Sequence, residues 1–128
     1  RCLFARYKIE YKYDSIYFDF DDTLVFNNRV NPWCLLLLYQ CKERDIPVVL
    51  ISRHKFDIVK TLELYHIPIS LFSSIEILND DNNKVDFIKH SKPIFIDNSF
   101  NERIDVYKKL NIPVFDTDNI PSLLDWRI

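Results

Sequence analysis

The feature that most constrains this chain is an apolar run that ends in a cluster of acids. Residues 16–18 (Ile-Tyr-Phe) are β-prone, and a strand in the middle of a parallel sheet is apolar on both faces. Three carboxylates follow within four residues, on Asp19, Asp21 and Asp22. Like charges this close repel one another, so a stable protein keeps them mostly for a cation or for chemistry. The run therefore predicts a buried strand with a reactive site at its carboxyl end.

Short apolar runs alternate with helical patterns along the rest of the chain. Further strands are predicted at 48–51, 68–72, 93–96 and 112–115, and residues 75–78 are ambiguous but favour an extended form. Helices are predicted at about 33–44, 56–65, 84–90, from 99 onwards, and 119–126. This alternation predicts an α/β fold, a doubly wound three-layer sandwich of Rossmann type around a central, mainly parallel five-stranded sheet.

Local signals mark the turns and the helix starts. Asn27-Asn28 between β-prone residues predicts a small hairpin, because asparagine tolerates positive φ. Asn31 before Pro32 predicts a helix start. Ser99 with Glu102 three residues later is typical of a capping box. The chain has no glycine, so its tight turns must use Asn, Asp or Pro.

Length and composition restrict the class of protein. A chain of 128 residues predicts one domain, which we place at 15–128, with 1–14 as an N-terminal extension, a linker remnant or an edge strand. The net charge of −2 gives no sign of nucleic acid or of an anionic membrane as a partner. The longest aliphatic run, 35–38, is far shorter than the ~20 residues of a membrane span. The absence of methionine suggests a fragment of a longer protein.

The cysteines also point to a compartment. Three cysteines cannot all pair, and their spacing matches no zinc pattern. We expect Cys34 and Cys41 to be reduced, buried thiols on one helix, which fits a cytoplasmic location.

Polar side chains follow three of the predicted strands. Asp19 and Asp21 follow the first, Ser52 the second, and Asp97 the fourth. In sheets of this kind ligands bind beyond the carboxyl ends of the strands. The three aspartates could hold Mg²⁺ through oxygen atoms, together with water and a substrate phosphate. Ser52 could donate a hydrogen bond to that phosphate, and Lys84 could pair with it as a point charge.

These residues resemble the motifs of a known family. The sequence Asp19-Phe20-Asp21-Asp22-Thr23 resembles the DxDx(T/V) signature of the haloacid dehalogenase-like (HAD) phosphohydrolase superfamily. Ser52 at the end of an apolar run, Lys84 at a helix start and Asp97 after a strand are similar to its second, third and fourth motifs. The four motifs occur in the family's order and cover residues 16–98.

The resemblance implies a two-step phosphatase mechanism. Asp19 would attack phosphorus and form an aspartyl-phosphate. Asp21 would protonate the leaving oxygen and then deprotonate the hydrolytic water. Asp19, the backbone carbonyl of Asp21 and Asp97 would bind Mg²⁺. An acid at position 21 separates phosphatases and phosphomutases from the dehalogenases and transport ATPases of the family.

The fourth motif departs from the family pattern. Asn98 replaces an adjacent acid, and Glu102 lies five residues after Asp97. Asn98 could be a neutral ligand or could support the ligands. Glu102 could orient a metal-bound water, although we favour a role in the capping box. Thr23 is expected to support the loop through its hydroxyl group.

The motifs leave no room for a cap domain. A helix starts at Asn31, directly after the hairpin, and the segment between Ser52 and Lys84 is too short for an inserted domain. The resemblance therefore implies a capless enzyme with an open site. Its substrate would be a sugar phosphate or another phosphomonoester. An open site suits macromolecular phosphoesters, and small sugar phosphates would suit it if a fused upstream domain or a homo-oligomer covered the site.

Less specific interpretations stay open for several residues. Arg53 and His54 follow Ser52 and could reach the substrate, but solvated residues at a helix start are the simpler interpretation. Asp22 is expected to shape the turn, and Asp116 and Asp118 to be peripheral.

Two other classes of protein compete with an enzyme. A receiver-type signalling domain would need an acid after the third strand and a lysine after the fifth, and the sequence has neither. The second is a catalytically weak HAD-fold regulatory or scaffolding module of a larger synthetase-like protein. The missing start methionine and Asn98 favour that module.

Overall fold

Within residues 12–124, seven strands form a five-stranded sheet and a separate hairpin. The structure, a computed structural model, describes residues 12–124. The strands in chain order are β1 (Ser15–Phe18), β2 (Val25–Phe26), β3 (Arg29–Val30), β4 (Val48–Ser52), β5 (Ser74–Ile77), β6 (Pro93–Ile96) and β7 (Val114–Phe115). The central sheet has the order β5-β4-β1-β6-β7 and all of its strand pairs are parallel. The predicted α/β class with a parallel five-stranded sheet is confirmed.

Helices connect these strands. The α-helices are α1 (Pro32–Glu43), α2 (Ile58–Leu64) and α3 (Phe100–Leu110). Short 3₁₀ helices lie at Ile69–Leu71, Lys84–Phe87 and Thr117–Leu123. No helix in residues 12–124 is long and apolar enough to cross a membrane.

The position of β1 in the middle of the sheet decides where a site can form. Phe18 on β1 is in register with Leu50 on β4 and with Ile96 on β6. From β1 the chain builds the sheet outward through β4 and β5, then returns to the other side of β1 as β6 and β7. The carboxyl ends of β4, β1 and β6 therefore lie side by side, which brings the residues after them together.

Alternate side chains of the sheet belong to two separate buried clusters. Phe18 packs in a cluster with Leu37 and Leu38 of α1. Tyr17 packs in a second cluster with Val106 of α3. Successive side chains of a strand point to opposite faces, so both faces of β1 are covered. Full burial of a side chain such as Phe18 contributes about 1.5–3 kcal/mol to stability.

Most of the predicted local signals are confirmed. Asn31 accepts a hydrogen bond from the backbone N–H of Trp33 at the start of α1, and Ser99 accepts one from Glu102 N at the start of α3. The hairpin forms as predicted, with positive φ at Asn27 and Asn28. Without glycine, the described turns use residues with positive φ at Asp22, Asn27, Asn28, Asp45, His66 and Asn111.

Two predicted elements in the middle of the chain differ from the structure. The strand predicted at 68–72 is wrong: a 3₁₀ helix occupies Ile69–Leu71, and the strand is β5, in the segment that the sequence left ambiguous. Pro68 lies directly before this 3₁₀ helix, and the chain reaches β4 as a strand only from Ser74 onwards. The helix predicted at 84–90 is only the single 3₁₀ turn Lys84–Phe87.

The end of the chain also differs. The helix predicted at 119–126 is the 3₁₀ helix Thr117–Leu123, which contains Pro121, a residue that interrupts an α-helical hydrogen-bond ladder. Residues 125–126 of that prediction lie outside the described residues, as do residues 1–11 of the predicted N-terminal extension.

Candidate functional site

The candidate site lies at the carboxyl ends of β4, β1 and β6. The backbone N–H of Asp19 donates to Ile96 O on β6 at 3.0 Å, and that of Asp97 donates to Phe115 O on β7 at 3.1 Å. The parallel ladder thus continues one residue past β1 and past β6. These bonds fix the backbones of both aspartates next to each other at the edge of the sheet.

The loop after β1 folds back to hold the Asp19 carboxylate. Asp22 takes a left-handed conformation (φ 61°) and its N–H donates to Val25 O at 2.8 Å. This turn returns Thr23 to Asp19, where Thr23 Oγ1 donates to Asp19 Oδ2 at 3.0 Å. The same hydroxyl accepts a hydrogen bond from Asn98 N at 3.1 Å. The Thr23 hydroxyl thus makes two hydrogen bonds that hold the loop, and Asp22 lies in the turn itself.

Lys84 joins the two aspartates. Its Nζ atom donates to Asp19 Oδ1 at 2.8 Å and to Asp97 Oδ2 at 2.7 Å. Asp97 Oδ1 accepts a further hydrogen bond from Ser99 N at 2.9 Å. Asp19, Lys84 and Asp97 are 6%, 3% and 1% exposed, so this ion cluster is withdrawn from bulk water. Such charges are strongly coupled, because little solvent screens them.

The charge balance of the cluster is reflected in its pKa values. Burial and the nearby Asp97 raise the pKa of Asp19 to about 7, against the opposing effect of Lys84. Burial also raises the pKa of Asp97. Burial alone would lower the pKa of Lys84, but the two carboxylates raise it above its ordinary value. One ammonium group cannot neutralise two buried carboxylates, so the cluster retains a proton or attracts further positive charge.

Glu102 extends this cluster towards solvent. Its Oε2 atom lies 3.1 Å from Arg53 Nε and 3.5 Å from Lys84 Nζ. Arg53 Nη1 also donates to Asn79 O at 2.6 Å. The Ser99 cap bonds to the backbone of Glu102, whereas the side chain of Glu102 turns to the cations, so the capping box is only half formed. Asn98 is exposed, and it joins the site through its backbone N–H.

Asp21 and Ser52 meet through His54. Asp21 is half exposed, and its Oδ1 and Oδ2 atoms lie 3.1 and 2.9 Å from His54 Nδ1. Ser52 is fully buried, and its Oγ atom accepts a hydrogen bond from His54 N at 3.1 Å. A hydroxyl that accepts one bond keeps its own hydrogen, so Ser52 retains one hydrogen to donate.

His54 and Arg53 both contact acids of the candidate site, which is the less favoured of the two alternatives that their position after Ser52 left open. Their interpretation as solvated residues at a helix start is wrong, since helix α2 begins only at Ile58 and both side chains pair with acids of the site. The available signal was their position directly after Ser52. Asp116, by contrast, caps the 3₁₀ helix that begins at Thr117, as expected of a peripheral residue.

The oxygen donors suit a hard divalent cation. Asp19 Oδ1 and Asp97 Oδ2 both lie within hydrogen-bond distance of Lys84 Nζ, so the two carboxylates are close enough together to share a cation, and burial raises the pKa of each. Carboxylates, a backbone carbonyl and water are ligands that Mg²⁺ accepts. Among the described residues, no three His, Cys, Asp or Glu side chains converge as a metal-binding group. The predicted set contains two carboxylates and a carbonyl, so it does not require such a group.

No family model matches the chain, and no curated protein matches it.

Proposed function

We propose that this chain is a Mg²⁺-dependent phosphomonoester hydrolase that acts through an aspartyl-phosphate intermediate, as its HAD-like motifs imply. The observation that carries the proposal is the buried arrangement of Asp19, Lys84 and Asp97 at the carboxyl ends of adjacent strands. A carboxylate oriented by two donors and withdrawn from water is suited to nucleophilic attack.

Asp19 is the proposed nucleophile. One of its carboxylate oxygens forms a bond to phosphorus, and the bond from phosphorus to the leaving oxygen breaks. Thr23 and Lys84 hold the carboxylate during this step, because each donates to a different oxygen of Asp19. Preorganised donors of this kind need no rearrangement as charge moves.

Asp21 is the proposed acid and base. It gives a proton to the leaving oxygen in the first step. In the second step it takes a proton from the water that attacks the aspartyl-phosphate, and the bond between phosphorus and Asp19 breaks to release inorganic phosphate. The half-exposed position of Asp21 is compatible with access to both an alcohol leaving group and water.

Mg²⁺ would be held by Asp19, Asp97 and the backbone carbonyl of Asp21. When bound, it supplies positive charge that allows an anionic carboxylate to approach an anionic phosphate. Ser52 and Lys84 are the proposed donors to the phosphate oxygens. Thr23, with the backbone N–H of Asn98 behind it, would support Asp19, and Glu102 would act on the site through its contact with Lys84.

The finer fold and the substrate class belong to the same proposal. Two buried clusters on the sheet support a doubly wound three-layer sandwich. Helix α1 follows the hairpin directly, which supports a catalytic domain at 15–128 without a cap. An open site suits macromolecular phosphoesters, whereas sugar phosphates or other small phosphomonoesters would need a fused domain or a homo-oligomer as a cover. The predicted cytoplasmic location agrees with the buried free thiols of Cys34 and Cys41.

One observation favours a second candidate, a catalytically weak regulatory or scaffolding module. Lys84 is 3% exposed and bound to two carboxylates, so a phosphate must compete for it with partners already in place. A scaffold would keep this ion cluster for stability alone.

Hydrolysis of p-nitrophenyl phosphate distinguishes the two candidates. The wild-type chain is assayed with Mg²⁺ and with EDTA, beside Asp19→Asn and the matched control Asp22→Asn, which changes an exposed acid of the same loop. We expect Mg²⁺-dependent turnover that Asp19→Asn lowers by at least about 10³-fold and Asp22→Asn lowers by less than about 5-fold. Equal rates in wild type and Asp19→Asn would favour the scaffold.

A further inference from the structure

His54 is held from several sides beside the proposed acid and base. Its backbone N–H donates to Ser52 Oγ. The centroid of its imidazole lies 5.2 Å from the ring centroid of Phe20 and 5.9 Å from that of Phe56, in T-shaped contacts. The side chain is 11% exposed although it lies in a loop. An imidazole fixed in this way presents a defined edge to its neighbours.

The hydrogen bonds around His54 place a hydrogen on the Nε2 atom of its ring. Thr61 Oγ1 donates its single hydrogen to Asp57 O at 2.8 Å, so it acts as an acceptor at 3.2 Å from His54 Nε2. Nε2 therefore carries a hydrogen, and Nδ1 is the edge that faces Asp21. A hydrogen bond across the 2.9 Å between Nδ1 and Asp21 Oδ2 needs one further hydrogen, held by either atom.

The ring of His54 gives the half-exposed carboxylate of Asp21 a fixed hydrogen-bond partner. A half-exposed aspartate on a turn can adopt several side-chain rotamers, and most of them would not serve a proton transfer that needs hydrogen-bond distance. The line Asp57–Thr61–His54–Asp21 ties the carboxylate to the first turn of α2. The direction of the carboxylate is then set by a helix and not by a loop.

We propose that His54 is the positioning residue for Asp21 in the phosphatase reaction, through the hydrogen bond between its Nδ1 atom and the Asp21 carboxyl group. The inference rests on the proposed function. It assigns to His54 a role in the step in which Asp21 gives a proton to the leaving oxygen, and not in substrate binding.

A comparison of leaving groups tests this role. A phenolic leaving group with a pKa of about 10 needs a proton as it departs, whereas the more acidic p-nitrophenol needs it much less. We therefore measure kcat/KM, which reports the formation of the aspartyl-phosphate, with phenyl phosphate and with p-nitrophenyl phosphate. His54→Ala is expected to lower the value about 30-fold for phenyl phosphate and less than about 3-fold for p-nitrophenyl phosphate.

Two conservative variants separate orientation from packing. An asparagine amide can occupy the place of Nδ1 and a glutamine amide that of Nε2. His54→Asn should therefore stay within about 3-fold of wild type on phenyl phosphate, and His54→Gln should resemble His54→Ala. The control is His66→Asn, at an exposed histidine with φ 59° that asparagine tolerates. Thermal unfolding shows that each variant is folded.

The outcomes separate this inference from the proposed function. If wild type is active, Asp19→Asn is inactive, and His54→Ala affects both substrates equally or not at all, the role of His54 is overturned and the phosphatase stands. A higher kcat/KM in His54→Ala also overturns it, because His54 would then hold Asp21 away from the substrate. A wild-type chain without Mg²⁺-dependent turnover overturns both.

Discussion

The Nζ atom of Lys84 lies 2.8 Å from Oδ1 of Asp19, and both side chains are more than nine-tenths buried. The two residues are 65 positions apart in the chain. Their contact depends on the order of the strands, which places the segment before β6 beside the end of β1. We expect the stability of the protein and its dependence on pH to reflect this buried ion pair.

Lys84→Met should destabilise the protein strongly at pH 8. The substitution leaves Asp19 and Asp97 buried without their counterion, and the loss of one partner from a buried pair costs about 3–5 kcal/mol. Urea unfolding at pH 8 measures this loss. Lys89→Met, at an exposed lysine five residues on, is the control and should change the free energy of unfolding by less than about 0.5 kcal/mol. Similar losses in both variants would contradict a special role for Lys84.

Stability without Mg²⁺ should fall as the pH rises from about 4 to about 7. The pKa of Asp19 is raised to about 7 by burial and by Asp97, so the native state keeps a proton that the unfolded state has already released. Above pH 7 the native carboxylate is charged, and the stability of the protonated form is lost. Urea unfolding at pH 5 and pH 8 checks this sign.

Asp19→Asn is the matched variant for that pH dependence. A neutral amide at this position removes the titration, so the free energy of unfolding should vary less between pH 5 and pH 8 than it does in wild type. Asp22→Asn, at the exposed neighbour, should keep the wild-type slope. A wild-type protein that becomes more stable from pH 5 to pH 8 would contradict the assigned direction.

Thr23→Val should reduce both stability and turnover. Valine has a similar shape but cannot donate to Asp19 or accept from Asn98 N, so it leaves a polar group unpaired inside the protein. We expect a loss of about 1–3 kcal/mol in urea unfolding. Thr23→Ser keeps the hydroxyl and should recover most of the loss. If serine is no better than valine, the methyl group and not the hydrogen bonds carries the role of Thr23.

The pair formed by Arg53 and Glu102 should contribute little to stability. Their side chains are 27% and 23% exposed, so solvent screens the attraction across their 3.1 Å contact. A double-mutant cycle with Arg53→Met and Glu102→Gln should give a coupling free energy of about 0.5–1 kcal/mol. A value above about 2 kcal/mol would show that this pair belongs to the buried ion cluster.

The thiols of Cys34 and Cys41 should not react in the native protein. Burial raises the pKa of each to about 12, so almost no thiolate is present at pH 8. Iodoacetamide treatment followed by peptide mass spectrometry should show both cysteines unmodified, and treatment in urea should alkylate both. Rapid native alkylation would mean that α1 opens locally.

Several features of the fold and of the candidate site could be predicted from the sequence because their causes are local. The acids after β1 follow a buried apolar run, Asn31 and Ser99 cap helices, and Asp22 and Thr23 belong to one short turn. Each of these features depends on residues a few positions apart, so the pattern of side chains is sufficient to predict it.

Other parts could not be predicted because their causes are distant in the chain. His54 pairs with Asp21 across 33 positions, and Arg53 pairs with Glu102 across 49. Both look like solvated residues as long as the order of strands β4, β1 and β6 is unknown. The third strand was misplaced for a similar reason, because pairing with β4 selects residues 74–77 over the more apolar run before them.

The sequence by itself determined the alternation of strands and helices and the presence of carboxylates at strand ends, since periodicity and composition are local properties. Only the tertiary structure decided that Lys84 lies between Asp19 and Asp97, that Glu102 turns from its helix cap to the cations, and that His54 faces Asp21. The physical reason is that burial and pairing of charge depend on which strand ends are neighbours, and this is set by the packing of the whole sheet.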